Sequence, residues 1–319
     1  MNLVKAELSR FSSRRFIQVM VVMLLVAFGI TIFTVMASST QPTEEVWQQA
    51  RAQAASQRAY LEREYNNCIT AVTDNRTCEE LNPARVVPEN YLYGVFHFGR
   101  QIKPLLYFLA AFLSLFGYLV MASYIGSELH SGGMTNLLLW RPNRIAVLGA
   151  KLAVGLGMLA AISVAFTAIY IGTFWGIANS TGYSGDVTPA LWEEIGVLSL
   201  KAIAMALVAS VVSFAIATVG RHTAAALGAL LGYVIVWEGG GRLVTSMIQR
   251  GGQGSSEPWF LSSYIGAWFA GEYRYYTGYY DYINEHQSIF WWHSGILFAV
   301  LIAGAAAVAF TNFQKRDLA

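Results

Sequence analysis

The stretch ELHSGGMTNLLLWRPNRIAVLGAK, residues 128–151, is a polar, glycine-punctuated and basic break between two long apolar runs. Residues 104–127 form the run before it and residues 152–178 the run after it, and neither run contains a charged side chain. Each is long enough to cross a bilayer, since a helix of ~20 apolar residues spans the ~30 Å hydrocarbon core. The break therefore predicts a short segment at one membrane face, between two spanning helices.

The composition of the whole chain is that of an integral membrane protein. Its 319 residues are 55% hydrophobic and 13% charged, whereas soluble domains carry roughly 25% charged residues. The mean hydropathy is +0.44. The net charge of +2 is small, and no cluster of basic residues with interleaved aromatics is present, so a nucleic-acid partner is excluded.

Apolar runs of spanning length recur along the chain and predict an all-α membrane protein with about six transmembrane helices. The runs are residues 16–37, 104–127, 152–178, 195–220, 223–247 and 288–313. A cleaved signal peptide is the alternative for the first run. The apolar region of such a peptide normally covers only about 7 to 15 residues, which favours a span.

Lysine and arginine residues near the span ends predict the orientation. If the spans alternate in direction, these residues share one side: Lys5, Arg10, Arg14, Arg15, Arg141, Arg144, Arg221, Lys315 and Arg316. The loop after the third run instead carries Asp186, Glu193 and Glu194. Because basic residues concentrate in cytoplasmic loops, both termini are predicted to be cytoplasmic, with the chain in the plasma (inner) membrane.

Residues 38–103 are then predicted to form a small extracytoplasmic insert, mainly helical because residues 44–66 are rich in good helix formers. Cys68 and Cys78 are the only cysteines of the chain. Both fall on the side where disulfides persist, so a bond between them is expected. Two packed free thiols are the alternative, and a metal site has less support. Asn75-Arg-Thr is a glycosylation triplet if the host glycosylates it.

Residues 1–15 favour an amphipathic helix lying in the inner interface, which together with the first span makes up residues 1–37. Val4, Leu8 and Phe11 follow helical spacing, and basic side chains surround them. The alternative is a basic flank that only orients the first span and needs no helix.

The 128–151 stretch resembles the cytoplasmic coupling segment of ABC-2 type ABC transporter permeases. The residues that carry the resemblance are Glu128, Gly132, Gly133, Thr135, Leu137, Leu138, Leu139, Pro142, Arg144 and Lys151. The order of spans over the whole chain is similar to that family as well, and residues 104–319 would hold the second to sixth spans.

The resemblance implies that the segment 128–144 contacts a separate nucleotide-binding ATPase subunit and couples ATP hydrolysis to transport. The leucines and Trp140 would fill a groove on that partner, while glycines allow a turn and Pro142 stops the helix. The resemblance also implies a second copy of this chain, with ATP and Mg on the ATPase. The alternative is an interfacial loop with Trp140 at the headgroup level.

No motif for catalysis or for a cofactor is present in the sequence. There is no GxxxxGK[ST] loop, no HExxH and no paired-cysteine zinc pattern. The five histidines lie singly at different loops and helix ends: His97, His130, His222, His286 and His293. The chain is therefore predicted not to be an enzyme and to hold no cofactor or metal, so the energy for transport would come from a partner ATPase or an ion gradient.

Charged residues within the fourth and fifth apolar runs suggest a pathway or gate. Lys201 and Glu238 both fall in the outer half of the bilayer at ~1.5 Å rise per residue, and charges there face the bundle interior or water. Glu238 can pair with Lys201 or, at i,i+4 spacing, with Arg242. A fixed ion pair is the structural alternative to a gate. The glycines at 239–241 either break the fifth span or permit close helix approach.

Residues 248–287 are too polar for a simple span and unusually aromatic, which predicts a re-entrant region at the outer interface. Phe260, Tyr264 and Trp268 recur at i,i+4 spacing, and short re-entrant helices before the last span are similar to those of ABC-2 permeases. These side chains are candidates for an external gate. The alternative is an aromatic belt that only anchors the protein.

The sequence is thus interpreted as the transmembrane subunit of an ATP-driven exporter of a hydrophobic or amphipathic substrate, working as a homodimer in the lipid bilayer. Two other hypotheses remain. One is a secondary transporter that uses Lys201, Glu238 and Arg242 as ion-coupled sites, although no matched pair of broken spans is evident. The other is a membrane sensor or scaffold that acts through residues 38–103.

Overall fold

The computed structural model describes residues 2–71, 78–140, 142–249, 255–276 and 286–315. Within these ranges six helices are long and apolar enough to cross a membrane. The chain is therefore an integral membrane protein built from α-helices, which confirms the predicted fold class. Several residues discussed above lie outside the described ranges: Asn75 and its triplet, Arg141, Arg316 and, within the aromatic region 248–287, residues 250–254 and 277–285.

The six spanning helices are numbered in chain order as spans one to six. They are Arg15–Ala37, Phe98–His130, Arg144–Ser180, Pro189–Gly220, Thr223–Ile248 and Trp291–Lys315. Spans two, three and four have 33, 37 and 32 residues, more than the ~20 that the hydrocarbon core requires. Their helices continue past the uncharged runs into flanking polar residues, which the apolar pattern alone does not reveal.

Four further helices in the described ranges are numbered α1 to α4: Asn2–Ser12, Glu44–Ala71, Gly133–Trp140 and Leu261–Ala270. Short 3₁₀ turns cover Glu79–Leu81, Pro83–Arg85, Pro88–Tyr91 and Glu257–Trp259. The predicted N-terminal helix is therefore present as α1, and the predicted helix of the insert is present as α2.

The break at residues 128–151 is shorter than the sequence suggested. Glu128 belongs to the last turn of span two, and Lys151 lies two turns inside span three. The chain reverses at Gly132, whose φ of +72° is one that glycine adopts without steric cost. Helix α3 follows immediately and ends at Trp140, before Pro142. Glu128 and Lys151 remain within the two spanning helices because their charges neutralise each other.

Backbone contacts divide the chain into two compact units. The smaller, here called the insert unit, comprises Val26–Lys103 and Ala168–Glu193. Its core contains Ala50, Leu92 and Val95. The predicted disulfide is present, with the Cα atoms of Cys68 and Cys78 5.8 Å apart.

The larger unit comprises Met1–Leu25, Pro104–Thr167 and Glu194–Ala319. It contains one feature that an all-helical prediction omits, an antiparallel ribbon of β1, Glu272–Tyr276, and β2, His286–Phe290. The sequence EYRYY of β1 is dominated by tyrosine, which favours strands over helices. The region interpreted as re-entrant is therefore a short helix followed by a β-ribbon.

Candidate functional site

Helix α1 packs through one face against the rest of the larger unit. Phe11 is 1% exposed and its ring lies edge-on to that of Tyr124, with centroids 5.2 Å apart. Val4 and Leu8, the other apolar residues of the predicted face, are 52% and 43% exposed. Of the three residues chosen from the sequence, Phe11 therefore anchors the helix.

A second side chain of α1, Glu7, is completely buried and sits in a network of charges. Its Oε2 atom accepts a hydrogen bond from the Tyr124 hydroxyl at 2.6 Å and one from Lys151 Nζ at 2.6 Å. Lys151 is also buried, and its Nζ lies 2.5 Å from Glu128 Oε2. One ammonium group thus joins carboxylates from α1 and span two to span three.

Arg14, in the link between α1 and span one, holds the other side of Glu128. Its guanidinium donates to the Glu128 carboxylate, to Ser127 Oγ and, at 3.3 Å, to the Ser123 carbonyl. The same group lies 5.1 Å from the centroid of the Tyr124 ring, within the range of a cation–π interaction. Glu7, Arg14, Tyr124, Glu128 and Lys151 are hereafter called the buried charge cluster.

The buried charge cluster is stable only as a set, because an ion without a partner is costly away from water. Burial alone raises the pKa of Glu7, but the hydrogen bonds from Lys151 and Tyr124 and the nearby positive charges outweigh it and hold the pKa below its ordinary value. Arg10 adds to this effect through a 3.1 Å ion pair with Glu7 Oε1. Glu7 is therefore a carboxylate at neutral pH.

Neither Glu7 nor the role of Lys151 in this cluster was predicted from the sequence. Glu7 is the one acidic residue among the first fifteen, in a segment otherwise apolar, polar or basic, and that isolation was a usable signal. Lys151 was assigned to the end of the polar break because it interrupts an apolar pattern. A lysine inside a spanning helix is costly unless it pairs with another charge or a backbone carbonyl or faces water, and that cost was a second signal.

The other residues predicted to couple to an ATPase are distributed along α3 and its flanks. Gly133 is the first residue of α3, and Thr135 is exposed on its first turn. Leu138 is half-buried and Pro142 follows the helix. Arg144 begins span three and its Nη1 donates to the Gln314 carbonyl of span six at 3.3 Å. Of the predicted set, only Glu128 belongs to the buried charge cluster.

Helix α3 itself presents apolar side chains to the surroundings. Leu139 is 79% exposed and Trp140 is 88% exposed, whereas Met134 is 1% exposed and fixes the helix to the larger unit. Two such large apolar residues at the tip of an eight-residue helix form a small protruding surface. This arrangement suits either a groove on a partner or a bilayer interface.

The second predicted site is organised around Arg242 rather than Lys201. Arg242 Nε lies 3.4 Å from Glu238 Oε2, and Nη1 lies 3.1 Å from Glu257 Oε1. The i,i+4 pairing considered from the sequence is therefore present. Glu257, which was not among the predicted site residues, is the second carboxylate.

Hydroxyl groups complete the coordination of both carboxylates. Tyr233 and Ser262 each donate to Glu238 at 2.8 Å. Glu257 accepts from Ser263 at 2.6 Å and from Tyr273 at 3.2 Å. These four residues together with Glu238, Arg242 and Glu257 are called the Arg242 cluster.

Lys201 lies apart from the Arg242 cluster. Its Nζ is 5.8 Å from the centroid of the Trp268 ring, and Trp268 Nε1 donates to the Lys201 carbonyl at 3.1 Å. Among the ion pairs of the described residues, none joins Lys201 to Glu238, so that predicted alternative was wrong. The sequence places residues 201 and 238 at a similar depth in the bilayer. In the structure, however, the Glu238 carboxylate pairs with Arg242, one helical turn away.

The glycines at 239–241 do not break span five. They end a π-helix, Tyr233–Gly241, which continues directly into a helical turn at Arg242. A Cβ atom at Gly241 would lie 3.2 Å from Cε1 of Phe260. Of the two roles considered for these glycines, the structure supports close approach. The group that approaches the backbone at Gly241 is the Phe260 ring.

Phe260, Tyr264 and Trp268 do not form one helical stripe. Phe260 is 2% exposed and precedes α4. Tyr264 and Trp268 lie within α4 and contact span six, since Ser294 Oγ donates to the Tyr264 carbonyl at 2.7 Å and the rings of Trp268 and Phe298 lie 5.5 Å apart. Phe260 therefore packs against span five, and Tyr264 and Trp268 lie on α4. The predicted role of the three residues in a gate stays a prediction.

Comparison with protein-family models, with curated proteins and with solved structures gave no match. The resemblance to ABC-2 permeases therefore rests on the residues of the 128–151 stretch and on the order of the spans in the sequence.

Proposed function

We propose that this chain is the permease subunit of an ATP-driven ABC-2 type transporter and that the segment 128–144 contacts a separate ATPase. The observation that supports this most is the combination of an exposed tip and a fixed base. Leu139 and Trp140 protrude from α3, while Glu128, five residues before the first residue of α3, is bonded to Lys151 and Arg14.

The contacts at the base of α3 provide a route by which a movement of α3 would be transmitted to the spans. Helix α3 is ~12 Å long at 1.5 Å per residue and is separated from span two by Ser131 and Gly132. Lys151 links the end of span two to span three and to α1 through two buried ion pairs. Separating such pairs leaves unpaired buried charges, which is costly. A displacement of α3 would therefore move these elements together.

The charge distribution supports a cytoplasmic location for α3, α1 and both termini in the inner membrane. ATP and Mg would bind to two copies of the partner ATPase, and two copies of this chain would form the translocation path. An apolar cavity of about 550 Å³ between spans four, five and six, lined by residues such as Val212, Ile216 and Leu301, fits export of a hydrophobic or amphipathic substrate.

The alternative of an ion-coupled secondary transporter has less support. Glu238 and Glu257, the acidic residues that would bind a coupling ion, already receive hydrogen bonds from Arg242 and from hydroxyl groups. A sensor or scaffold acting through the insert would not need the apolar tip of α3. These two alternatives and the permease differ in whether an ATPase subunit binds the chain.

Affinity purification from native membranes in a mild detergent tests the proposal. A nucleotide-binding ATPase should copurify with the tagged chain, and ATP hydrolysis should be measurable in the complex. Replacing Leu139 and Trp140 together by serine should lower recovery of the ATPase at least tenfold, since a few buried apolar anchors commonly dominate an interface. Tyr60→Ser in α2, where the side chain is 58% exposed, is the matched control.

Normal ATPase recovery with the Leu139 and Trp140 variant would exclude α3 as the contact. Absence of any ATPase from the wild-type preparation, with transport that responds to an ion gradient, would favour the secondary transporter instead.

A further inference from the structure

The insert unit contains a polar cavity of about 390 Å³ that none of the functions above uses. Its polar lining consists of Ser38, Asn90, Tyr93, Arg100 and Gln101, and Gly94 forms part of its wall. Gly94 has a φ of +70°, so the chain turns there and carries Tyr93 and Val95 to the cavity. The cavity is partly open to its surroundings, so a ligand can reach it.

The position of the cavity along the spans places it at the level of lipid headgroups. Span one ends at Ala37, and Ser38 is the next residue. Span two begins at Phe98, so Arg100 and Gln101 lie in its first turn, before the uncharged run that starts at Pro104. The cavity is thus lined by residues just beyond the hydrocarbon ends of two spans, which are joined by one insert and so end at the same membrane face.

The charge of the lining determines which sign of charge a ligand should carry. Arg100 is the one charged lining residue, and Glu89, the neighbour of Asn90, is not part of the lining. The first turn of a long helix adds a positive potential through its free N–H groups. Both effects favour an anion.

The donors in the cavity are available for a ligand. Arg100 Nη1 donates to the Asn90 carbonyl at 3.1 Å, which fixes the guanidinium. Within the described part of the chain, the other guanidinium N–H groups of Arg100 and the side-chain amide of Gln101 have no hydrogen-bond partner. A guanidinium held at one nitrogen and free at the others is suited to a phosphate oxygen pair.

Tyr93 supplies an amphipathic rim. Its side chain is 72% exposed, and tyrosine at this depth normally sits among headgroups, with its ring towards the acyl chains and its hydroxyl towards water. The apolar side chains of Leu92, Val95 and Phe96 complete the lining. An apolar wall beside an anion site matches a ligand in which a phosphate is joined to a glycerol and acyl chains.

We propose that this cavity binds a phosphate ester of glycerol, with Arg100 and Gln101 contacting the phosphate and Tyr93 lying beside the glycerol. The headgroup of an anionic phospholipid and a soluble glycerol phosphate share this chemistry. The proposal is independent of the transport function.

Native mass spectrometry of the full chain in a neutral detergent tests it, with phosphatidylglycerol, phosphatidylcholine and glycerol 3-phosphate as three separate probes. The wild type should bind phosphatidylglycerol in preference to phosphatidylcholine. Arg100→Gln should weaken binding of phosphatidylglycerol about tenfold, the effect of losing one charge-assisted hydrogen bond. Arg63→Gln removes the same charge from an exposed position of α2 and should bind like the wild type.

Two further variants keep the test informative if Arg100→Gln misfolds. Arg100→Lys keeps the charge and should retain part of the affinity, and Gln101→Leu should lower affinity with Arg100 intact. Glycerol 3-phosphate that binds as tightly as the lipid, in an Arg100-dependent way, would identify a soluble ester as the ligand. Equal binding of phosphatidylglycerol by the wild type, Arg100→Gln and Gln101→Leu, or no binding of any probe, would overturn the proposal.

Discussion

Lys151 Nζ and Glu7 Oε2 lie 2.6 Å apart although 144 residues separate them in the chain, and both side chains are almost completely shielded from solvent. This pair fixes α1 to span three. Because Lys151 also contacts Glu128, the same ammonium connects the N-terminal helix to the base of the segment 128–144. The attachment of α1 is therefore electrostatic as well as apolar.

The first prediction concerns the asymmetry of this arrangement. Lys151→Met leaves two buried carboxylates without their shared cation and should destabilise the protein by about 3 to 5 kcal/mol. Glu7→Gln leaves Lys151 paired with Glu128 and should cost less. The double variant should be less destabilised than the sum of the two single variants. The apparent unfolding temperature of each purified variant measures this.

Lys5→Met is the control, because Lys5 is an exposed residue of the same helix. Its unfolding temperature should equal that of the wild type. Strict additivity of the two changes at Glu7 and Lys151 would contradict the pairing.

The second prediction is a dependence of stability on acid pH. The pKa of Glu7 is lower in the folded protein than its ordinary value of 4.5. A depressed pKa contributes stability that is present above the unfolded value and is lost as the pH falls through the folded value. The difference in unfolding temperature between the wild type and Glu7→Gln should therefore stay constant from pH 8 to about pH 5 and shrink below about pH 4.5. A difference that does not change down to pH 3 would refute this assignment.

The third prediction separates the base of α3 from its tip. Glu128→Ala removes a partner of both Arg14 and Lys151, so it should lower the unfolding temperature and also impair coupling to the ATPase. Leu138→Asp should leave insertion and folding closer to normal yet reduce ATPase association or substrate-stimulated hydrolysis, because Leu138 is only half-buried. Measurements of membrane yield, complex recovery and ATP hydrolysis distinguish the two effects. Normal recovery and hydrolysis in both variants would argue against a coupling role.

The fourth prediction concerns the insert unit. Cys68 and Cys78 close a loop with a sequence separation of 10, which should stabilise the insert by roughly 2 to 3 kcal/mol in the chain-entropy model. Denatured protein alkylated without reductant should keep its mass, and after reduction it should gain two alkyl groups. Alkylation of both thiols in the absence of reductant would show that the bond is not formed. Replacing both cysteines by serine should lower the unfolding temperature of the insert.

Apolar length and cysteine position predicted the spans, α1 and the disulfide because each depends on local sequence. The helix ends were less predictable. Glu128 and Lys151 stay helical because their charges are neutralised across three elements, and no periodicity within one element reveals such a partner. Glu7 is the extreme case, since its buried partners Tyr124 and Lys151 lie more than a hundred residues away.

The Arg242 cluster illustrates the same limit at another site. The i,i+4 spacing between Glu238 and Arg242 could be predicted from the sequence. Glu257, Ser262 and Ser263 join them only because α4 and the residues before it contact span five. The β-ribbon was not predicted, although the three tyrosines of β1 favour a strand.

The last prediction uses double-mutant cycles to decide which charges interact in this region. Arg242 contacts Glu257 through two nitrogens, at 3.1 and 3.3 Å. The effects of Arg242→Met and Glu257→Gln on the free energy of unfolding should therefore be coupled. Both side chains are partly exposed, which limits the expected coupling to about 1 kcal/mol. Lys201→Met and Glu238→Gln should instead be additive to within about 0.5 kcal/mol, since Lys201 contacts Trp268 and not the carboxylate. Unfolding temperatures of the single and double variants give both couplings, and a larger coupling for the Lys201 pair than for the Arg242 pair would contradict the observed geometry.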